Sequence, residues 1–237
     1  MQFVCTTGKR IELFIETMDS IINNVEAFDS LKGYFLTIDS DNFEYERDLA
    51  KERYPFFNEI INVHGYMHYT TLNKLWFDIA TDDYIYHNED DRVIIRKDNY
   101  LIKAAVVLDQ GEYQQVVIGD KPQVKGKEIK ILDEVYFKWP HDKDRTDKLF
   151  KGRQWAELGG LDDSSGPLWP DFTLAPSIIN RKWLVDNHIK FMKMHNFERN
   201  LGYRVCDKGF KRVTFKEISH LHKGLQQSLY DILGRQR

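Results

Sequence analysis

Three consecutive acids, Glu89, Asp90 and Asp91, follow directly after an apolar and aromatic run at residues 84–88. The run predicts a buried strand, so the acids lie where that strand leaves its sheet. Short acidic runs are most often solvated loops. Here, however, three adjacent carboxylates repel one another beside an apolar strand and cost stability unless a cation or hydrogen-bond donors compensate them. Because carboxylate oxygens suit hard divalent cations, we predict a metal site at this point.

A second candidate site is the polar, basic turn after the first predicted strand. Residues 2–5 form that strand, Thr6, Thr7 and Arg10 lie in the turn, and apolar residues at helical spacing begin at Ile11. Amide groups in such a loop can hold anionic oxygens, and Arg10 can clamp a phosphate or pair with a base edge. Because the loop lacks a full glycine fingerprint, an ordinary strand-to-helix connection explains it equally well.

Two further acids, Asp39 and Asp41, follow an apolar strand predicted at residues 33–38. They would lie at the carboxyl edge of the sheet, where open α/β sheets bind ligands. Their carboxylates can accept hydrogen bonds from a nucleobase or a ribose. Asp, Ser and Asn are also the preferred residues of turns and helix caps, and this alternative stays open.

Alternating strands and helices must position these side chains. Apolar runs predict strands at 2–5, 33–38, 60–64 and 84–88, with helical patterns between them. Parallel strands need crossover connections, so the alternation predicts an α/β fold with a mixed, mainly parallel sheet flanked by helices.

Later elements are predicted from shorter signals. We expect a strand at 171–176, helices over 178–184 and 188–201, strands at 203–206 and 211–215, and an amphipathic C-terminal helix at 225–233. The glycine- and serine-rich stretch at 159–167 is interpreted either as a mobile lid or as an inert connection.

Composition excludes several classes of protein. The 237 residues have 34 basic and 37 acidic side chains and a net charge of -3, which gives no whole-chain footprint for nucleic acid. No apolar run approaches the roughly 20 residues that span a bilayer, and the amino terminus lacks a signal-peptide layout. Cys5 and Cys206 form no Cys-x-x-Cys pair and are interpreted as small buried side chains. We therefore expect a cytoplasmic protein, in the host cytoplasm if its source is viral.

With these pieces placed, the sequence resembles the GT-A fold glycosyltransferases, particularly small phage and bacterial members related to the large inverting family. The resemblance runs over most of the chain. It rests on segments in a characteristic order: Thr6-Thr7 with Arg10, then Asp39 and Asp41, the acids at 89–91 as a DXD-type motif, residues 172–176, Glu198 in Phe197-Glu198-Arg199-Asn200, and the late segment with His220 and His222. It implies a near-minimal single domain over 1–237, with a nucleotide-sugar-binding half at 1–120 and an acceptor-side half at 121–237.

The resemblance also implies a metal site. Members of this family bind Mn²⁺ or Mg²⁺ between the last DXD carboxylate and the donor's diphosphate, which makes Asp91 the direct ligand here. Glu89 would reach the metal through water, and Asp90 would hydrogen-bond the ribose. A late histidine commonly adds a ligand; His222 fits the usual His-x-Gly form better than His220, and we expect at most one of the two to face the metal.

The reaction implied is transfer of a hexose from a nucleotide sugar, UDP-glucose or UDP-galactose, to a hydroxyl of an unidentified glycan or small molecule, with inversion. Glu198 would be the general base on the helix beneath the acceptor. The alternative is that Glu198 pairs with Arg199 on a surface helix.

Two other functions stay open at this stage. A sugar-phosphate nucleotidyltransferase would share the nucleotide-binding half, but that class usually has a glycine-rich basic signature, and only Gly8, Lys9 and Arg10 are present. A non-catalytic nucleotide-sugar or glycan-binding module would keep Asp91 and the metal but would need no base.

Overall fold

The computed structural model describes residues 1–119, 127–131, 134–138, 172–193 and 197–223. Strands and helices alternate through the first part of the chain: β1 (Gln2–Gly8), α1 (Ile11–Asn24), a 3₁₀ turn (Phe28–Ser30), β2 (Tyr34–Asp39), α2 (Phe43–Arg53), β3 (Glu59–Asn62), α3 (His68–Asn73) with a π-helical extension (Lys74–Ile79), and β4 (Tyr84–Glu89). The later elements are β5 (Arg92–Ile94), α4 (Tyr100–Asp109), β6 (Gln115–Val117), β7 (Lys127–Ile131), β8 (Glu134–Lys138), β9 (Ser177–Asn180), α5 (Arg181–Asp186), α6 (Phe197–Asp207), β10 (Arg212–Phe215) and β11 (His220–His222).

The main sheet has the strand order β3-β2-β1-β4-β9-β6-β10-β8-β7. Strands β8 and β9 run opposite to the others, which all share one direction. The predicted mixed, mainly parallel α/β sheet is therefore confirmed. In its register Gly8 lies opposite Asp39 and Thr6 lies opposite Glu89, so the turn after β1 and both groups of acids meet at one edge.

Alternate side chains of the central strands supply two apolar clusters, one on each face of the sheet. On β1, Phe3 and Cys5 belong to the first cluster and Val4 to the second; on β9, Ile178 and Ile179 divide in the same way. Helices α1, α2 and α4 contribute to the first cluster, and α3, α5 and α6 to the second. The helices flank the sheet on both faces, as predicted.

Two predictions for the end of the chain are wrong. Residues 203–206 belong to α6 and not to a strand, because Leu201 and Val205, one helical turn apart, both bury in the second cluster. The helix predicted from residue 188 does not begin there, because His188 has a left-handed φ of 55° that ends the preceding helix.

The segment before α5 was also assigned incorrectly. Residues 172–174 are irregular, and the strand begins after the proline, at Ser177. Ile178 and Ile179 lie on that strand and not on a helix. A strand buried on both faces is a continuous apolar run, which periodicity alone does not distinguish from a buried helix.

The predicted lid at 159–167 and the predicted C-terminal helix at 225–233 lie outside the described residues. The division of the chain near residue 120 does not interrupt the sheet, because β9 lies between β4 and β6. Its functional meaning stays a prediction. In the described part of the chain, no helix has the length and apolar character needed to cross a membrane.

Candidate active site

Asp90 is the buried anchor of the acidic run, with 1% of its surface exposed. Its Oδ2 accepts hydrogen bonds from the Thr7 hydroxyl (2.9 Å), the Gly8 amide (3.2 Å) and Arg10 Nε (3.2 Å), and its Oδ1 accepts one from Arg10 Nη2. The Thr17 hydroxyl donates to its main-chain carbonyl at 2.7 Å. Burial raises the pKa of Asp90 to about 6, although Arg10 acts in the opposite direction. Both carboxylate oxygens are thus engaged within the protein, and the ribose contact that the resemblance implied stays a prediction.

The turn after β1 is organised by Asp90. The Asp90 amide donates to the Thr6 carbonyl at 3.1 Å, and the Thr7 side chain bonds to the carboxylate. Lys9 takes a left-handed φ of 52°. These contacts hold the turn against the end of β4, which leaves Arg10 facing the acids.

Asp91 lies among cationic groups. Its Oδ2 is 3.1 Å from Arg10 Nη1 and 3.2 Å from His222 Nε2. Its Oδ1 is buried, has no hydrogen-bond partner among the described residues and lies 3.6 Å from Arg92 Nε. The Lys223 amide donates to the Asp91 carbonyl at 2.9 Å. The backbone of Asp91 is therefore fixed by the Lys223 amide, and Oδ2 is held by Arg10. Oδ1 is left without a hydrogen bond.

The small antiparallel sheet of β5 and β11 brings His222 to Asp91. His222 lies opposite Arg92, and His220 lies opposite Ile94. Residues two apart on a strand share a face, so both histidines point to the same side. They differ in their position along β11, and only His222 lies opposite the residue that follows the acids, Arg92. His220 is fully buried, whereas the His222 side chain is 27% exposed at the acidic end. Burial lowers the pKa of His222, which keeps the imidazole in the neutral form that binds metals.

Glu89 and Arg92 lie beside Asp91. Arg92 Nε is 3.6 Å from Glu89 Oε2. Burial raises the pKa of Glu89 to about 8; Arg92 lowers it, and Asp91, Glu198 and Asp90 raise it further. Among the charges that act on Glu89 is therefore that of Glu198, the predicted base.

Glu198 lies in the first turn of α6 and is partly buried. Its Oε1 accepts a hydrogen bond from the Leu174 amide at 2.8 Å, which joins the helix to the segment before β9. Burial raises the pKa of the carboxyl, while the Leu174 amide and then Arg92 act against that effect. The carboxylate is therefore held against the segment that leads into β9.

Asp39 and Asp41 lie at the other side of the same edge. Lys9 Nζ is 2.6 Å from Asp41 Oδ2, and the His64 ring lies 3.4 Å from Asp39 Oδ1 and 3.1 Å from Asp41 Oδ1. A cavity of about 450 Å³ is lined by Ser40, Asp41, Asn42, Phe43, Glu44, Tyr45, Asn62 and His64. Asn42 is the N-cap residue of α2, and its amide donates to the Ser40 hydroxyl at 3.1 Å. Asp41 lies in the turn before that helix, so the turn alternative holds for Asp41, and neither Asp39 nor Asp41 caps the helix.

Sequence reasoning missed His64 and His68 as site candidates; His64 was assigned to the end of the third strand, which in the structure ends at Asn62. His68 begins α3, and its ring packs edge-on against Phe197 with the ring centroids 5.2 Å apart. His68 is exposed at the surface; partial desolvation of its ring lowers the pKa of the imidazole, whereas Asp39 and Asp91 raise it. The sequence signal that could have indicated them was the pair of histidines in His64-Gly65-Tyr66-Met67-His68, after the third strand.

The donor set at Asp91 fits a divalent cation. Asp91 and His222 present an oxygen and a nitrogen 3.2 Å apart, and the second Asp91 oxygen is a buried acceptor without a hydrogen bond. Within the described ranges, no three His, Cys, Asp or Glu side chains are grouped to hold a metal ion. A cation here would need water or substrate phosphates as its other ligands, which is the common arrangement for Mg²⁺.

Solved structures similar to this chain include GT-A-like glycosyltransferases. The mannosyltransferase PcManGT from Pyrobaculum calidifontis, in complex with GDP-Man and Mn²⁺, has a TM-score of 0.65 and 12% identity over 98% of this chain and 59% of its own. TarS 1–349 from S. aureus has a TM-score of 0.60 and 11% identity over 94% of this chain and 60% of its own. Its complex with UDP-GlcNAc has a TM-score of 0.58 and 12% identity, with coverages of 92% and 56%.

This chain spans about three fifths of the length of those proteins. No family model matches the sequence, and no curated protein matches it. The structural likeness, at such low identity, shows the fold.

Proposed function

We propose that this protein is a metal-dependent glycosyltransferase that moves a hexose from a nucleoside-diphosphate sugar to an acceptor hydroxyl with inversion. The observation that carries the proposal is the convergence of Arg10, Asp91 and His222 at the carboxyl edge of the sheet. Open α/β sheets bind their ligands at this edge. From the sequence resemblance we propose UDP-glucose or UDP-galactose as the donor.

The base and ribose of the donor are assigned to the cavity beside Asp41 and His64. Carboxylates accept hydrogen bonds from base N–H groups and ribose hydroxyls. Asp41 lines the cavity, and we propose that it and Asp39, at the end of β2, supply these acceptors. A volume of about 450 Å³ is within the range of small-molecule sites.

The diphosphate is assigned to the space between Arg10 and Asp91. Arg10 offers a fork of N–H donors that matches phosphate oxygens. Asp91 and His222 would hold the Mn²⁺ or Mg²⁺, which when bound neutralises charge on the leaving diphosphate. Glu89, beside Arg92, is proposed to reach this site through water.

The acceptor hydroxyl is assigned to Glu198. The Leu174 amide fixes one carboxylate oxygen at 2.8 Å, and the other is proposed to receive the hydroxyl proton. Because burial raises its pKa, Glu198 is a stronger base than a solvated glutamate. A single displacement assisted by one base inverts the anomeric carbon.

Donor hydrolysis tests this proposal. The full chain is incubated with UDP-glucose, UDP-galactose, UDP-GlcNAc and GDP-mannose, each with Mn²⁺ or with EDTA, and the released nucleoside diphosphate is measured. We expect slow, EDTA-sensitive release from one UDP-sugar. Asp186→Asn replaces an exposed carboxylate on α5, outside the site, and should release nucleoside diphosphate as the wild type does. Failure to bind or cleave any donor would contradict the proposal, and binding without transfer or hydrolysis would identify a non-catalytic module.

A further inference from the structure

The Asp91 oxygen closest to His222 already accepts a hydrogen bond from Arg10. Oδ2 accepts a hydrogen bond from Arg10 Nη1 at 3.1 Å and lies 3.2 Å from His222 Nε2. A cation held between Asp91 Oδ2 and His222 Nε2 would therefore share or replace the contact with Arg10. Since the Arg10 side chain is 15% exposed, its guanidinium is poorly screened from such a cation.

We propose that Arg10 couples cation binding to donor binding: its guanidinium holds Asp91 in the free protein and moves its Asp91 contact to the donor's diphosphate when a divalent cation binds. This inference rests on the proposed function, because it takes the ligand to be a nucleoside diphosphate. It adds that the cation alone binds weakly and that the nucleotide creates its affinity.

Arg10 cannot simply leave the site. Its Nε and Nη2 bond to Asp90, which is 1% exposed, and moving the guanidinium away would strand a buried carboxylate. The contact of Nη1 with Asp91 is separable from these, because it uses a different nitrogen. Arg10 therefore stays beside an incoming cation and repels it.

The carboxylates of the free site are already partly neutralised by two protein cations. Arg10 contacts both Asp90 and Asp91, and Arg92 lies 3.6 Å from both Asp91 and Glu89. A bare Mn²⁺ would thus displace existing attractive contacts and gain little. A diphosphate supplies the negative charge that lets Arg10 and the cation remain together.

Coupling of this kind is reciprocal, so the nucleotide must raise Mn²⁺ affinity by the same factor by which Mn²⁺ raises nucleotide affinity. Metal bridging to the diphosphate produces part of this factor in any such site. Arg10 contributes the rest, because the diphosphate relieves the repulsion between its guanidinium and the cation. A variant without the guanidinium lacks this contribution.

Calorimetric titration of the full chain with Mn²⁺, without nucleotide and then with UDP, tests the inference. We expect weak binding of Mn²⁺ alone to the wild type and a large gain with UDP. Arg10→Ala should bind Mn²⁺ alone about 10-fold more tightly and should show a smaller gain with UDP. If its melting curve shows that Arg10→Ala is unfolded, Arg10→Gln provides the test, since it is neutral and can still donate to Asp90.

Lys9→Ala is the matched control, because it removes a positive charge from the same turn. Lys9 pairs with Asp41 and not with Asp90 or Asp91. It should leave the affinity for Mn²⁺ alone unchanged. A folded Arg10→Ala or Arg10→Gln that binds Mn²⁺ alone no more tightly than the wild type overturns the inference. Absence of UDP binding by the wild type, with or without Mn²⁺, would instead overturn the proposed function, since binding of Mn²⁺ alone is measured separately.

Discussion

Asp90 and Asp91 are adjacent in sequence but have different surroundings. Asp90 is enclosed by donors from the β1 turn and serves that turn, whereas Asp91 keeps one buried oxygen without a hydrogen bond. A carboxylate already saturated with donors has little to offer a ligand, and an unsatisfied buried acceptor costs stability until a ligand satisfies it. The ligand role is therefore assigned to Asp91.

Asp91→Asn should lose Mn²⁺-dependent UDP binding while the fold stays intact. The amide keeps the shape of the side chain and the backbone bond from Lys223, but it removes the charge that a cation needs. Calorimetry with UDP and Mn²⁺ measures the loss, and Asp186→Asn serves as the control. Binding as tight as that of the wild type would show that the metal site is assigned to the wrong residue.

Glu198→Gln should lose transfer by about 100-fold or more while donor affinity changes little. Glutamine can still accept the hydrogen bond from the Leu174 amide, so the position of α6 is retained and only the basic oxygen is lost. Initial rates with a saturating donor measure the effect, and NMR of the product should show inversion. Full activity of the variant, or retention of configuration, would require a different base.

The contribution of Glu89 to the stability of the metal-free protein should fall as pH rises from about 5 to about 8. The pKa of Glu89 is raised from 4.5 to about 8 by burial, so between those values the folded chain binds more protons than the unfolded chain. The slope of unfolding free energy with pH is then negative. Glu89→Gln should flatten this dependence. Denaturation in EDTA at several pH values measures it, and an equally steep slope in the variant would contradict the assignment.

At the scale of elements, the pairing of β5 with β11 builds the candidate metal site. The connection from β10 to β11 passes close to Gly119, whose carbonyl accepts hydrogen bonds from the Ser219 and His220 amides at 2.7 and 3.1 Å. A Cβ atom added at Gly119 would lie 2.6 Å from the Phe215 carbonyl oxygen. The absence of a side chain at residue 119 thus allows β11 to reach Asp91.

Gly119→Ala should therefore destabilise the fold by about 1–3 kcal/mol, because the obstructing atoms are backbone atoms. It should also weaken UDP binding with Mn²⁺ by displacing His222. Gly33→Ala is the control: it too replaces a glycine, but its added Cβ would meet only side-chain atoms, the nearest at 3.2 Å on the Phe35 ring. Chemical denaturation and calorimetry measure both variants. Unchanged binding in Gly119→Ala would mean that β11 is positioned by other contacts.

At the scale of the whole molecule, the sheet joins distant parts of the chain. Strand β9 lies between β4 and β6, and the second apolar cluster contains Val4, Trp76 and Ile85 together with Phe172 and Ile179. Neither half of the sequence completes this cluster. The two predicted halves should consequently be one folding unit.

A fragment of residues 1–120 should fail to fold cooperatively. It would expose one side of β4 and the apolar face that the later residues cover, and such an edge promotes aggregation. Thermal denaturation followed by circular dichroism distinguishes the outcomes, with the full chain as reference. A sharp transition in the fragment would show that the first half is an independent domain.

The sequence by itself determined the order of the first strands and helices, the α/β class and the acids at the ends of β2 and β4. These features follow from local periodicity and from the position of polar residues directly after apolar runs, which neighbouring residues decide. The late elements were less predictable, because Ile178 and Ile179 are buried on both faces and show no period.

Only the tertiary structure decided how the acids are used. His222 meets Asp91 across 131 positions, and Arg10 meets Asp90 across 80. Which of two neighbouring acids is enclosed, and which of two histidines on one face of β11 lies at the open end, depends on strand pairings between distant segments. The spacing of residues along the chain does not predict those pairings, because they form only when the whole sheet and its two apolar clusters assemble.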